Sequence, residues 1–252
     1  HNKNFNFVKI FNIAIILSII PIIFLSGERS AFFLSIFFCI LIMPVIFSIK
    51  RNITIITTFL ILGFVILNTN NTIYDRYINQ LKNHLILIEN EKVIFFPEHI
   101  GLFNSAYNNF LDNKLIGSGV KSFRETCKLN NSKFKEEINK IKSNTDYCST
   151  HPHNYYLQFL TETGLIGFLV LFLAFLYCIF EYLKFLYIYY LKKNSKSLEI
   201  QKYLILLAGL IMYLWPITTT GSFFNNWNSI FIFLILSFFL YFKYEYISNY
   251  KR

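Results

Sequence analysis

From Leu165 to Tyr177 the chain reads LIGFLVLFLAFLY, a stretch with no charge and no polar side chain before its closing tyrosine. A bilayer core about 30 Å thick asks for about 20 such residues in a helix that crosses it. Six segments approach that length: Val8 to Leu25, Ala31 to Ile49, Ile53 to Leu67, Tyr155 to Leu176 (or on to Tyr190 as helix), Tyr203 to Ile217 and Ser229 to Phe242. Each is expected to be helical, because lipid offers no partner to an unpaired backbone amide. Pro21, Pro44 and Pro216 fall at or near span ends, where a missing N–H costs least. The composition agrees: 54% of the 252 residues are hydrophobic and 15% charged, too apolar for an ordinary soluble domain. The expected fold class is all-α and integral to the membrane, with about six transmembrane helices.

Charge sets the orientation. Lys50 and Arg51 lie between the second and third spans, Lys192, Lys193, Lys196 and Lys202 between the fourth and fifth, and Lys243, Lys251 and Arg252 near the end. With alternating spans all three groups share one side, which the positive-inside rule makes cytoplasmic. The net charge of +10 is then membrane anchoring rather than a nucleic-acid footprint, since no basic cluster interleaved with aromatics sits on a soluble module. Residues 1–67 form three spans, 68–152 an external loop domain and 153–252 three further spans. The loop domain exceeds what a structureless connection tolerates and is expected to be mostly helical, with an amphipathic face of Ile100, Phe103, Ala106, Tyr107 and Phe110. The chain opens on His1 with no signal-peptide pattern, so it reads as part of a longer protein, cut within or between helices.

Cys39 and Cys178 fall inside spans, where they serve as small apolar side chains. Cys127 and Cys148 fall in the external loop, on the oxidising side, and are expected to form a disulfide. No metal site is expected, for no Cys-x-x-Cys spacing is present and only His151 and His153 lie near enough to add ligands.

Several polar residues gather at the external side. In LSGERSAFF a very short turn presents Glu28 and Arg29; the arginine either snorkels to lipid headgroups or points its planar fork at phosphate oxygens. In STHPHNYYLQFL, His151 and His153 are either general-base candidates or members of an interfacial belt with Tyr155 and Tyr156. Asn154 either orients an imidazole or caps the helix that follows, and Pro152 stiffens the approach. In NKLIGSGVKSFRETC, Gly117 and Gly119 make a plain turn or allow close approach to a ligand, with Lys121 and Arg124 adding positive charge. Glu162, followed by Gly164 and Gly167, lies at a costly depth and is read as a buried hydrogen-bonding strut.

Taken in order, SGERSAFF, HIGLFNSAYNNFLDNKLIGSGVKSF and HPHNYYLQFLTETGLIGFL resemble the C-terminal part of the O-antigen ligase and polymerase superfamily of bacterial envelope proteins. The first resembles its Ser/Gly-x-Arg turn, the second its amphipathic segment with a Gly-x-Gly turn. The third resembles its His-x-His-Asn…Leu-Gln…Glu-x-Gly-Leu-Ile-Gly signature, the most specific of the three.

The resemblance implies a metal-independent glycosyltransferase of the bacterial inner membrane that needs no cofactor. Its site faces the periplasm, which makes residues 68–152 a periplasmic loop domain. It would move a glycan from an undecaprenyl diphosphate carrier to a hydroxyl of lipid A-core or another glycan acceptor. Arg29 matches the family's first arginine, for the departing diphosphate, and His153 its base, with His151 a less certain twin. Where the family has a second arginine, this chain has His99; Arg124 or Lys121 is the alternative source of that charge, and Arg76 receives no role. The branches open at this stage are ligase, polymerase and protein-directed oligosaccharyltransferase. Outside the family stands a flippase or transporter, which would place ionisable groups near the bilayer midplane.

Overall fold

The computed structural model describes residues 18–46, 49–83, 97–128, 148–191 and 198–250, and among them every regular element is helical. Of the expected first span, only the part from residue 18 onward is described. Lys192, Lys193, Lys196, Lys251 and Arg252 lie outside the described residues. Among the described residues four helical stretches are long and apolar enough to cross a membrane: Arg29–Ile46, Asn52–Thr69, Gly164–Leu191 and Asn226–Glu245. The chain forms two compact units, His1–Asn90 and Glu91–Arg252.

In the first unit, α1 (residues 18–26) ends where Gly27 takes φ +74°, a left-handed conformation that costs glycine little. The Gly27 N–H returns to Phe24 O at 3.2 Å, and α2 (Arg29–Ile46) starts at once. α3 (Ile49–Thr69) carries hydroxyls at Thr54, Thr57, Thr58 and Thr69 that bond back to carbonyls one turn earlier, which satisfies them without a partner from lipid. Asn70 then caps α4 (Asn71–Tyr74), its side chain accepting from Ile73 N. α4 passes into a π-helical turn, Asp75–Asn79, and helix continues to residue 83. Ile73 and Tyr77 from this stretch pack with Phe24, Phe32, Ile66 and Leu67 in an aromatic-rich cluster over the α1–α2 turn.

The second unit begins with α5 (Pro97–Asp112). Its buried face is Leu102, Ser105, Ala106 and Asn109, whereas Tyr107, expected inside, is exposed. The helix is turned so that Leu102 and Ala106 meet Phe123 and Cys127 of α6 (residues 123–128) and Asn109 donates to Thr126 Oγ1 at 2.9 Å. A disulfide joins Cys127 to Cys148, Cα to Cα 5.7 Å, within the same cluster.

The expected continuous helix from Tyr155 is in fact two, α7 (Tyr155–Glu162) and α8 (Gly164–Leu191), broken at Thr163. The cause is tertiary. The turn 114–119 supplies Lys114 O and Leu115 O to the first free N–H groups of α8, at Leu165 and Ile166, and its Ser118 and Gly119 N–H groups take Thr161 O and Glu162 O of α7. One turn thus satisfies two helix ends that would otherwise hold orphan groups. Both flanking glycines are required: a Cβ on Gly117 (φ +71°) would meet Glu162 C at 2.5 Å, and one on Gly164 (φ +70°) would meet Gly117 N at 2.6 Å.

α9 (Leu198–Tyr213) lies between α8 and α10 (Asn226–Tyr250), with Leu204, Leu207 and Ala208 fully buried. It ends earlier than the expected Ile217, because the residue before Pro216 disfavours helix. Its 16 residues span about 24 Å at 1.5 Å per residue, less than the hydrocarbon core. A polar brace ties the three helices together. Glu181 of α8, buried, accepts from Tyr203 Oη at 2.9 Å and pairs with Lys243 and Lys184 at 3.5 Å each. Lys243 also bonds the Tyr177 hydroxyl and lies over that ring. Sequence analysis treated Lys243 as an interfacial anchor and gave Glu181 no role.

Candidate active site

The residues singled out at the external side fall into both units. Arg29 is in the first; His99, His151, His153, Asn154, Lys121, Arg124, Gly117 and Gly119 are in the second.

In the second unit a polar stripe runs down α7 at i, i+4 spacing: Asn154, Gln158, Glu162. Residues so spaced share one helix face, and each here holds a different backbone segment. Asn154 caps α7 by accepting from Leu157 N at 3.1 Å, while its amide donates to Pro216 O at 2.8 Å and Thr218 O at 3.2 Å. Gln158 donates to Ser222 Oγ and accepts from Phe223 N at 2.8 Å. Glu162 accepts from Lys121 N at 3.0 Å, Phe123 N at 3.4 Å and Gln158 Nε2 at 3.2 Å, so it is a strut between α7 and the Gly-Ser-Gly turn. Tyr156 adds a bond to Leu214 O at 2.6 Å. The stripe clamps two loops, 117–123 and 214–223, onto the helix that the histidines precede.

The close approach at Gly117 is to the backbone of Glu162 and Thr163. Lys121 takes φ +62° so that its N–H can reach Glu162, and the side chains of Lys121 and Arg124 are exposed.

Three histidine rings meet beside this clamp. His153 lies 4.4 Å from His151 and 5.9 Å from His99, centroid to centroid, and His99 stacks on Phe103 at 6.0 Å. Their commitments differ. His151 meets Thr150 Oγ1 through Nδ1 at 2.8 Å and Thr220 O through Nε2 at 3.3 Å. A carbonyl only accepts, so the proton belongs on Nε2 and both ring nitrogens are engaged. His153 has a long contact to Ser149 Oγ at 3.5 Å, and the Thr220 carbonyl acts on its ring as it does on that of His151.

Its backbone is unusual as well. His153 takes φ +54°, a conformation that costs a residue with a Cβ about 1–2 kcal/mol. Thr220 N–H donates to His153 O at 2.8 Å, the Asn154 cap fixes the next residue and Pro152, buried, fixes the one before. The neighbours therefore dictate where the ring points. Burial lowers the pKa of both His151 and His153, and the charge of His153 lowers that of His151 further; the Thr220 carbonyl opposes both shifts. Burial thus favours the neutral form of both rings. Among the described residues no set of three His, Cys, Asp or Glu side chains is arranged to hold a metal ion.

In the first unit, Arg29 opens α2 next to exposed Glu28. Arg76, on the π-helical turn, lies across Gly27: a Cβ there would meet Arg76 Cδ at 2.7 Å and Nη1 at 3.0 Å. Tyr77 beside it is buried in the aromatic cluster, and burial raises the pKa of its hydroxyl; Arg29 and Arg76 act in the opposite direction and Glu28 with burial.

Sequence reasoning missed Thr220 and the clamp of Gln158 on Ser222 and Phe223. The available signal was the i, i+4 repeat of Asn154, Gln158 and Glu162 on an otherwise apolar helix. It also left Arg76 aside, since nothing in sequence brings it to Gly27.

A family model described as O-antigen ligase matches residues 13–172, more than half of the chain and inclusive of Arg29, His99, the Gly-Ser-Gly turn and the whole of α7. No curated protein and no solved structure gives a match.

Proposed function

The chain belongs to the O-antigen ligase family, and from that premise we propose that it is a glycosyltransferase of the ligase type, moving a glycan from undecaprenyl diphosphate to a sugar hydroxyl of the lipid A core. The observation that carries the reading is His153: an imidazole whose burial favours the neutral form, held in a costly backbone conformation by its neighbours. Strain of this kind collects at functional positions, and a neutral imidazole is the group a hydroxyl nucleophile needs.

The acceptor oxygen bonds to the anomeric carbon as its proton passes to His153. The bond from that carbon to the carrier diphosphate breaks, and its electron pair leaves on the phosphate oxygen. That oxygen gains a negative charge, which Arg29 stabilises. His99, His151 and Asn154 shape the acceptor side, the last two through Thr220 and the 216–218 backbone. Lys121 and Arg124 supply positive charge toward the glycan-bearing side, and no metal takes part.

The membrane setting proposed is the bacterial inner membrane, multi-pass, with the site facing the periplasm. The Cys127–Cys148 disulfide beside the histidines supports the oxidising side, and the lysines at the opposite span ends support the orientation.

A polymerase joining repeat units, or a protein O-oligosaccharyltransferase, uses the same donor and base and differs only in the acceptor. Mass analysis of glycans from cells lacking the protein separates them. Long glycan missing from the lipid A core while polymer accumulates on the carrier supports the ligase. Single repeats already on the core identify a polymerase, and loss of glycan from protein identifies the third branch.

A further inference from the structure

In the first unit a second arginine lies at the turn that presents Arg29. Gly27 has no side chain, and the aliphatic and guanidinium atoms of Arg76 occupy the space where one would be. Arg76 thereby lies over the same turn that presents Glu28 and Arg29. Its nearest acid in sequence, Asp75, takes hydrogen bonds from Asn79 Nδ2 at 3.2 Å and Gln80 Nε2 at 3.3 Å. Among the described residues Arg76 makes no ion pair.

A second observation is independent of charge. Tyr77 is 8% exposed, and among the described residues its buried hydroxyl has no hydrogen-bond partner. A buried hydroxyl left unmatched costs about 1–3 kcal/mol, which makes it uncommon unless something else is its partner. The π-helical turn explains the arrangement: its extra residue changes which side chains share a face, with Tyr77 in the Phe24–Phe32 cluster and Arg76 over Gly27. Such π turns collect at functional sites.

We propose that Arg76 and the Tyr77 hydroxyl, together with Arg29, bind the phosphate groups of a lipid-linked diphosphate. The site is built for an anion: two guanidinium forks suit phosphate oxygens, and a phenol O–H adds a directed donor. Glu28, the one carboxylate at the turn, is exposed and leaves the balance positive. The inference rests on the donor assigned under the proposed function, and it gives Arg76 the role that the family's second arginine would fill.

The test uses the whole protein in detergent micelles, with native mass spectrometry reading binding of undecaprenyl diphosphate against undecaprenol. Arg76→Ala is expected to weaken diphosphate binding about tenfold, and Arg76→Lys to recover part of it, since lysine keeps the charge and lacks the fork. Tyr77→Phe is expected to weaken it about threefold with no loss of thermal stability, because the hydroxyl has no internal partner to lose. Lys82→Ala, an exposed charge on the same stretch, serves as the control for net charge and should bind as wild type.

Wild type that prefers the diphosphate while Arg76→Ala and Tyr77→Phe prefer it equally overturns this inference and leaves the donor reading standing. Wild type with no preference over undecaprenol overturns the donor reading and the inference with it. Displacement of the diphosphate by a tenfold excess of phosphatidylglycerol, lost in Arg76→Ala, identifies a lipid headgroup site and also overturns it.

Discussion

His153 holds the account together because its two properties conflict with stability and agree with chemistry. A left-handed backbone suits glycine or asparagine, yet the position carries an imidazole. Replacing it with glycine should therefore leave the melting temperature in detergent unchanged or higher while transfer falls by about 10²–10⁴, the usual contribution of a general base. A fall in both would mean that the ring is a packing element. The pH dependence has a definite sign. With a pKa held below the usual 6.5, the neutral base persists above that value and is lost as pH falls through the lower, folded pKa. Transfer should be level near pH 7 and decline on acidification with a midpoint under 6.5. The same depression makes acid destabilise the fold, since the unfolded chain accepts the proton more readily. The residue types HPHN were legible in sequence, and the family resemblance already put the base at His153; the left-handed backbone there and its tie to Thr220 were not, because the partner comes from a distant loop.

At the scale of elements, apolar run length located the helices correctly wherever packing agreed with it, as in Arg29–Ile46 and Asn226–Tyr250. It failed at Thr163, where a turn from another part of the sequence supplies bonds to both helix ends. No local pattern in YLQFLTETGLIGF records that partner, although Gly164 marks where the chain changes hand. Gly164→Ala forces a Cβ against Leu115 and Gly117 in a left-handed backbone. It should cost at least about 2 kcal/mol and lower the melting temperature; an unchanged value would show that the break adapts. The brace at Glu181 bears on the transport reading, which calls for an ionisable group within the spans. Here Glu181 is engaged by Tyr203, Lys184 and Lys243. Lys243→Met should destabilise by about 2–3 kcal/mol, somewhat less than breaking a fully buried pair because Lys184 remains. Glycan transfer by the folded fraction should be preserved. Normal stability with transfer lost would make the brace part of the mechanism.

For the molecule as a whole, membrane character and family were readable from span lengths and three short motifs. The placement of Arg76 and Tyr77 was not, since it arises from a π-helical turn folding against Gly27. The central claim is that His153 takes a proton from a sugar hydroxyl while a carrier diphosphate leaves. It is tested most directly by purified full-length protein in micelles with undecaprenyl diphosphate-linked glycan and lipid A-core acceptor. Wild type is expected to transfer glycan to the core, and His153→Gly, folded and donor-bound, to do so at least about a hundredfold more slowly. Transfer by His153→Gly at the wild-type rate would contradict it.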